Sequence, residues 1–144
     1  MPSCPKINRK GILSDQIIYY IVPTIIMAHH NSTGTLGEKL ALTYLTEKGF
    51  HILHTNWRYS HWEVDIIASL NGVLHFIEIK TRRSTKFGYP EEDVTRKKMK
   101  NLINASEEYL FLHPSWKWIR FDILSINLGK GKPAEYFFIE DVHL

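Results

Sequence analysis

The sequence predicts one α/β domain in three layers, α/β/α, with a mixed central sheet and the element order α-β-β-β-α-β-β. Two observations support this fold class. Asn71-Gly72 joins two apolar runs, which is a strong signal of a β-hairpin. Both faces of that hairpin are largely apolar and need covering layers, which two segments with helical spacing of apolar residues, 35–48 and 90–112, can supply.

Length and composition are those of an ordinary globular domain. The 144 residues can bury a core without disulfides, and the content of 44% hydrophobic and 23% charged residues is typical. A net charge of +3 suits an anionic partner but is too small for a protein that binds nucleic acid by charge alone. The single cysteine cannot form an internal disulfide, so we expect a cytoplasmic protein.

The first 26 residues differ from the remainder of the chain. They contain most of an apolar run, 17–27, which is too short for a membrane-spanning helix, is interrupted by Pro23 and precedes no small-residue cleavage site. We therefore expect no membrane association. Residues 1–26 are interpreted as a disordered extension or as translated upstream sequence, and a single domain is predicted over 27–144.

The first predicted helix covers 35–48, and Gly49 ends it. Thr35 and Glu38 have the spacing of a capping box, in which each side chain satisfies a backbone N–H at the helix start. The alternative for Glu38 is a carboxylate in the first turn that faces the acidic end of the hairpin. Spacing does not separate these two interpretations.

Strands are predicted over 50–59, in both arms of the hairpin, over 117–127 and over 136–139. Strict alternation along the hairpin divides its residues between two faces. One face carries Asp65, Ile67, Leu74, Phe76, Glu78 and Lys80. The other carries Val64, Ile66, Ala68, Leu70, Val73, His75, Ile77 and Ile79, with His75 interpreted as a core or edge histidine whose nitrogens have local partners.

Acidic residues meet at one end of the hairpin. With a two-residue turn, Asp65 faces Glu78, and Glu63 faces Lys80. Two carboxylates at that separation repel each other unless a cation or a proton lies between them. Lys80 shares the face of the pair. The sequence therefore predicts a cluster of two acids and an amine at the rim of an apolar core.

Basic residues follow the acidic cluster. The segment 81–90 contains Arg82, Arg83 and Lys86 and no acid. It is either a solvated loop or a flap that contacts phosphates, and its position beside the cluster favours the flap. Lys98 lies on the apolar stripe of the second helix, where it either extends to water along its alkyl stem or reaches the acidic cluster or a bound phosphate.

The motifs that carry a family resemblance are Gly34-x-x-Gly37-Glu38, Glu63-Val64-Asp65-Ile66-Ile67, Phe76-Ile77-Glu78-Ile79-Lys80-Thr81-Arg82, Lys98 and Arg120-Phe121-Asp122. Together they resemble the YraN-like family of uncharacterised bacterial proteins. That family belongs to the restriction-endonuclease-like, or PD-(D/E)xK, superfamily, which includes archaeal Holliday junction resolvases. The similarity runs from about Met27 to the C-terminus. Trp62 replaces a glycine usual in the family, and it either narrows access to the site or offers a stacking surface for a base.

The resemblance implies a metal-dependent nuclease that hydrolyses phosphodiester bonds, with DNA, including branched or single-stranded DNA, favoured over RNA. Asp65 and Glu78 would hold Mg²⁺ or Mn²⁺, with Glu38 and the Ile79 carbonyl as further ligands. Lys80 would orient the attacking water or stabilise developing charge, and it is a poorer proton acceptor because neighbouring carboxylates favour its protonated form. The implied catalytic residues are Lys80, Glu38, Asp65 and Glu78. Candidate contacts to nucleic acid are Arg82, Arg83, Lys86, Lys98 and Trp62.

Two other functions stay open. A nucleic-acid-binding module of the same fold would use the same residues with little or no turnover, because fold similarity does not establish activity. A structural role would make Glu63 and Lys80 a cross-strand ion pair, but it would leave Asp65 and Glu78 opposed without a counter-ion. Resolvases act as dimers, so the resemblance also implies a homodimer, although no stretch of the sequence identifies an interface.

Overall fold

The computed structural model describes residues 32–83 and 96–142, all within one unit of the chain. The elements are helix α1 (Ser32–Glu47), strands β1 (His51–Tyr59), β2 (Trp62–Leu70) and β3 (Val73–Arg82), helix α2 (Arg96–Leu112), and strands β4 (Ile119–Asn127) and β5 (Glu135–Ile139). The predicted element order is confirmed. The predictions for 1–26, for Lys86 and for the start of the second helix lie outside the described residues.

The five strands form one mixed sheet in chain order. Strands β1, β2 and β3 are antiparallel neighbours, β4 runs parallel to β3, and β5 is antiparallel to β4. The parallel pair requires a crossover connection, and α2 lies in it. Within the described ranges, no helix has the length and apolar character needed to cross a membrane.

The turn between β2 and β3 is the predicted one. Asn71 and Gly72 have φ angles of 50° and 80°, and a type I′ turn needs positive φ at both positions. Leu70 pairs with Val73, and the same register continues to the pair of Ile66 and Ile77. The predicted two-residue loop and hairpin register are confirmed over these residues.

The two helices cover opposite faces of the sheet, so the predicted three layers are present. The α1 core contains Ala41, Leu45, Phe50, Ile66, Ala68, Ile77, Leu124 and Ile126. The α2 core contains Val64, Ile67, Leu74, Phe76, Met99, Leu102, Ala105 and Tyr109. Helix α1 begins at Ser32, so Thr35 lies inside the helix and the predicted capping box is wrong. Polar and glycine residues that suggest a turn are tolerated in a first helical turn, where the backbone N–H groups lack helical partners anyway.

A buried polar pair joins β3 to β4. His75 and Asp122 are 2% and 0% exposed, and His75 Nδ1 lies 2.6 Å from Asp122 Oδ2. The other carboxylate oxygen, Oδ1, accepts a hydrogen bond from the Asp141 N–H at 2.9 Å. The interpretation of His75 as a core histidine with a local partner is confirmed.

The sheet opens into a fork at one end. Strand β2 stays paired with β1 as far as Trp62 and Tyr59, and β3 stays paired with β4 to its last residue. Pairing between β2 and β3 nevertheless ends at Ile66 and Ile77. The first arm of the fork is therefore the end of the β1–β2 hairpin, and the second arm is the end of the β3–β4 pair. The fork is bounded by residues 62–65 and 78–82.

Strand β1 is kinked beside the fork, at Asn56. This residue has a φ of 49°, in the left-handed region that asparagine tolerates. His54 and Trp57 both contact the Tyr109 ring, at centroid distances of 5.5 and 5.4 Å, although they are three residues apart. Residues at that spacing in a regular strand point to opposite faces. The kink therefore allows both His54 and Trp57 to face α2.

The alternation of side chains between the two faces is also interrupted in β2. The interruption is at Asp65, which the register places opposite Asn56. Val64 and Ile67 both pack in the α2 core, whereas Ile66 packs in the α1 core. The prediction that Val64 shares a face with Ile66 is therefore wrong, because the kink breaks the alternation. Asp65 is the residue at the break, and its side chain turns towards β3.

Candidate functional site

Asp65 lies at the apex of the fork. Its Oδ2 accepts a hydrogen bond from the backbone N–H of Ile79 at 2.7 Å. Continued pairing would place that N–H opposite the backbone of β2, so a side-chain carboxylate takes the position of a strand partner. The bond holds the Asp65 carboxylate between the two arms.

Asp65 and Glu78 are close enough for the charge of Glu78 to raise the pKa of Asp65. Burial raises the pKa of Asp65 to about 6, and the charge of Glu78 is the second cause. The Ile79 N–H and the Lys98 ammonium act in the opposite direction, with less effect. The structure therefore brings the two predicted carboxylates together at the fork, although they do not form a pair in the β2–β3 ladder.

Lys98 reaches this acidic pair from α2. Its Nζ donates to Oε1 of Glu78 at 2.6 Å, and the side chains of Lys98 and Glu78 are 47% and 16% exposed. Of the two interpretations of Lys98, the one in which it reaches the cluster is confirmed. The pair therefore has an ammonium counter-ion that strand register alone does not reveal.

Lys80 lies two residues after Glu78 on β3, on the same face. Burial lowers the pKa of Lys80, and the hydrogen bond and charge of Lys98 lower it further, against the weaker effects of Glu78 and Asp65. The pKa of Lys98 is raised, first by its bond to Glu78. Lys98 is therefore the donor and Lys80 the acceptor between the two amines. The neighbouring carboxylates favour protonated Lys80, as predicted, but burial and Lys98 outweigh them, so the net effect lowers the pKa of Lys80.

Gly37 brings the second turn of α1 against the end of β3. A Cβ at this position would lie 1.9 Å from Thr81 Oγ1, so the close approach requires glycine. Glu38 follows this contact in the helix but is exposed. Its charge is not among those that shift the pKa of Asp65. The structure therefore does not bring Glu38 into the cluster with Asp65.

The sequence that forms the fork matches one family of known proteins. A model of the uncharacterised protein family UPF0102 matches residues 37–126, which include β1, β2, β3 and all of β4 except its last residue. The chain belongs to the UPF0102 family. The predicted membership of the YraN-like family is thereby confirmed.

Individual UPF0102 proteins match over most of their own length. The protein of Bacteroides thetaiotaomicron is 42% identical over 100 residues, which cover 69% of this chain and 83% of that protein. The protein of Rhodococcus opacus is 39% identical over 116 residues, covering 80% and 98%, respectively. The protein of Clostridium perfringens is 40% identical over 115 residues, covering 78% and 94%. None of these three names states an activity.

The donor atoms at the fork of this UPF0102 chain fit a hard divalent cation. Asp65 and Glu78 supply carboxylate oxygens. The Ile79 carbonyl points into the fork, because the N–H and C=O of one strand residue face the same neighbouring strand and the Ile79 N–H faces Asp65. Mg²⁺ is commonly bound through one or two carboxylates while it retains several waters. Residues 32–83 and 96–142 contain no group of three or more histidine, cysteine or acidic side chains that could hold a metal ion, so an ion at the fork would depend on the two carboxylates, the Ile79 carbonyl and retained water.

The predicted contacts to nucleic acid lie on both arms. Arg82 is half-buried at the end of β3, and Arg83 is exposed immediately after it. Trp62 begins β2 on the first arm and packs against the α2 core. Basic side chains therefore end the second arm, and an aromatic side chain ends the first.

Glu63 has a different partner from the predicted one. Its Oε1 accepts from Arg58 Nη2 at 2.9 Å across the β1–β2 hairpin. Because β2 and β3 no longer pair at this level, Glu63 does not face Lys80 across the ladder. The predicted structural role depends on an ion pair between Glu63 and Lys80, and that contact is wrong.

Three aromatic rings form a row along the first arm, and only Trp62 among them is a predicted site residue. The rings of Trp57 and Tyr59 are 6.2 Å apart and inclined by 9°, and those of Tyr59 and Trp62 are 6.5 Å apart and inclined by 10°. We call these three residues the aromatic row. A signal was present in the sequence, because a turn at Ser60-His61 places Tyr59 opposite Trp62.

Proposed function

We propose that this UPF0102 chain is a cytoplasmic, metal-dependent nuclease that hydrolyses phosphodiester bonds in nucleic acid, with DNA as the favoured substrate. The observation that carries the proposal is the convergence of Asp65 and Glu78 at an open fork, beside Lys80 and Lys98. Carboxylates are rarely brought together in a partly buried position without a function, since desolvation and mutual repulsion are both unfavourable. Perturbed pKa values in a cleft are typical of functional sites.

Asp65, Glu78 and the Ile79 carbonyl are the proposed ligands of Mg²⁺ or Mn²⁺. Hydrogen bonds within the described residues use Oδ2 of Asp65 and Oε1 of Glu78, one oxygen of each carboxylate. A bound ion would polarise the scissile phosphate and lower the pKa of a coordinated water. Glu38 is proposed as an indirect contributor, through water, because it is exposed and lies outside the cluster.

Lys80 is the proposed proton acceptor. Its lowered pKa lets Nζ take a proton from the attacking water at a lower pH than an ordinary lysine would. Lys98 keeps its proton and supplies positive charge to the phosphate. Arg82, Arg83 and Lys86 are proposed to bind neighbouring phosphates, which contribute most of the affinity for nucleic acid.

One observation favours the alternative, a nucleic-acid-binding module with little or no turnover. The Lys98 ammonium, 2.6 Å from Glu78, already provides the acidic pair with a counter-ion. A site stabilised in this way can present lysines and arginines to phosphates without a metal. The two functions differ in one measurable property, the dependence of cleavage on a divalent cation.

The test uses the full-length chain with labelled single-stranded, duplex and branched DNA and with RNA, in Mg²⁺, Mn²⁺ or EDTA. We expect cleavage only with a divalent cation, loss of cleavage in Asp65→Asn and Glu78→Gln, and a reduction of about 10²-fold or more in Lys80→Met. Glu107→Gln, which changes an exposed acid on α2, is the matched control and should cleave normally.

Two results would contradict the proposed nuclease activity. Cleavage that persists in Asp65→Asn would assign the activity to another site or to a contaminant. If the protein bound nucleic acid but cleaved no substrate in the presence of either metal, it would be a nucleic-acid-binding module instead. Sedimentation of the same preparation, alone and with branched DNA, tests the homodimer that the resemblance implies.

A further inference from the structure

We infer that the aromatic row, Trp57, Tyr59 and Trp62, is a base-stacking platform that makes an unpaired DNA strand the substrate class of the fork. The inference rests on the proposed function, because it concerns the same site. Its basis is the position and order of the three rings relative to the charged cluster, together with the exposure of Tyr59.

The rings of the aromatic row lie on one face of the first arm. Tyr59 pairs with Trp62 across the hairpin, and Trp57 precedes Tyr59 by two residues, so all three point to the same side. Trp57 and Trp62 pack against the α2 core, which identifies that side as the α2 face. Tyr59 is 42% exposed, whereas Trp57 and Trp62 are half-buried, so the row reaches solvent mainly through its middle ring.

The charged cluster opens on the same face as the aromatic row. Phe76 packs in the α2 core. Glu78 and Lys80 follow it along β3 at intervals of two residues, so their side chains lie on the same face of the sheet. Lys98 approaches from α2 itself. The aromatic row on the first arm and the charged groups on the second arm therefore border one opening.

The row is held in place before any ligand binds. The Trp57 ring stands edge-on to the Tyr109 ring, with centroids 5.4 Å apart and planes inclined by 83°. Tyr109 is 2% exposed and belongs to the α2 core. Anchored rings lose little conformational entropy on binding, which is a property of an effective recognition surface.

The two arms together match the chemistry of an unpaired strand. Bases of a single strand expose their π-faces, whereas those of a duplex are hidden by stacking within the helix. Aromatic side chains that stack on bases raise affinity for single strands by about tenfold or more per base, largely irrespective of sequence. The basic end of the second arm, at Arg82 and Arg83, supplies contacts to phosphates of the same strand.

The experiment measures binding by fluorescence anisotropy of the full-length chain in EDTA, where metal-dependent cleavage cannot occur. The probes are a labelled oligothymidine of about 20 nucleotides, long enough for one site, and a blunt duplex of equal length at the same salt concentration. We expect the single strand to bind at least tenfold more tightly than the duplex. Tyr59→Leu and Trp62→Leu should each weaken binding of the single strand about tenfold and leave duplex binding nearly unchanged.

Two controls separate stacking from folding. Tyr59→Phe keeps the ring and should bind as wild type does. Trp118→Leu removes a tryptophan that is 71% exposed beside Leu74, at the opposite end of the sheet, and should also bind normally. Equal affinity of wild type for both probes, or normal binding by Tyr59→Leu, would overturn the inference. Because binding is measured without divalent cations, the result stands or falls independently of whether the protein cleaves DNA.

Discussion

The backbone N–H of Ile79 donates to Oδ2 of Asp65 over 2.7 Å, just beyond the last pair between β2 and β3. The end of the sheet and the candidate site are therefore one feature. By replacing a strand partner, the carboxylate ends the ladder and lets the two arms separate. The opening between them is where the remaining charged groups meet.

Asp65→Asn should stabilise the metal-free protein above about pH 6. The pKa of Asp65 is about 6 in the folded protein, against an ordinary value of 3.8, mainly because of burial. The folded protein therefore binds this proton more tightly than the unfolded chain does, and the stability that it gives is lost as the pH rises through the folded-state pKa. We expect the variant to exceed wild type by about 2 kcal/mol at pH 8 in EDTA.

Urea unfolding at two pH values checks this expectation. Near pH 4 the advantage of Asp65→Asn should almost vanish, because wild-type Asp65 is protonated in the folded protein there. Glu107→Gln, at an exposed position, should match wild type at both pH values. A wild-type protein more stable than Asp65→Asn at pH 8 would contradict the stated balance of burial and charge.

Lys98→Met should move the pH dependence of cleavage to higher pH. The Lys98 ammonium lowers the pKa of Lys80, so its removal raises that pKa. Lys80 must be unprotonated to accept a proton, so the acidic limb of the kcat/KM profile moves upward in pH and activity near neutrality falls several-fold. Lys98→Arg retains the charge and should leave the limb close to that of wild type. An unchanged limb in Lys98→Met would exclude Lys80 as the titrating base.

Gly37→Ala should destabilise the protein by about 1–3 kcal/mol, the usual cost of overpacking. The added Cβ would lie 1.9 Å from Thr81 Oγ1, and α1 must move away from β3 to admit it. Gly34→Ala is a matched control in the same helix, because no atom lies within 4 Å of a Cβ there. It should stabilise the helix by about 0.5–1 kcal/mol. Equal denaturation midpoints for the two variants would show that the approach of α1 to β3 can relax freely.

Asp122→Ala should destabilise the protein by about 3 kcal/mol, since it removes the partner of buried His75 and the acceptor of the Asp141 N–H. Chemical denaturation measures the loss. Glu140→Ala is the control. Glu140 is exposed, and its Oε1 lies 3.8 Å from Arg120 Nη1, so this surface ion pair contributes little to stability. If Asp122→Ala lowered the free energy of unfolding by less than about 0.5 kcal/mol, water would have replaced the lost acceptor.

Much of the fold could be predicted because its signals are local. Asn71-Gly72 specifies a type I′ turn through its tolerance of positive φ, and that turn sets the register as far as Ile66 and Ile77. Apolar spacing indicates the helices, and two apolar hairpin faces require a layer on each side. The predicted start of the first helix at residue 35 is wrong, because the preceding Gly34 is typical of a turn, although a helix can accommodate it in the first turn.

The sequence by itself determined that Asp65, Glu78 and Lys80 meet near the hairpin end, because a turn and a period of two place them there. Only the tertiary structure decided how they are arranged. The left-handed Asn56 opposite Asp65 breaks the alternation of side chains, and the Asp65 carboxylate then bonds Ile79. The contact of Lys98 with Glu78 and the alignment of the aromatic row depend on how α2 and β1 pack on the sheet. Strand register describes one pair of strands, whereas these contacts depend on backbone kinks and on packing between layers, which no local pattern encodes.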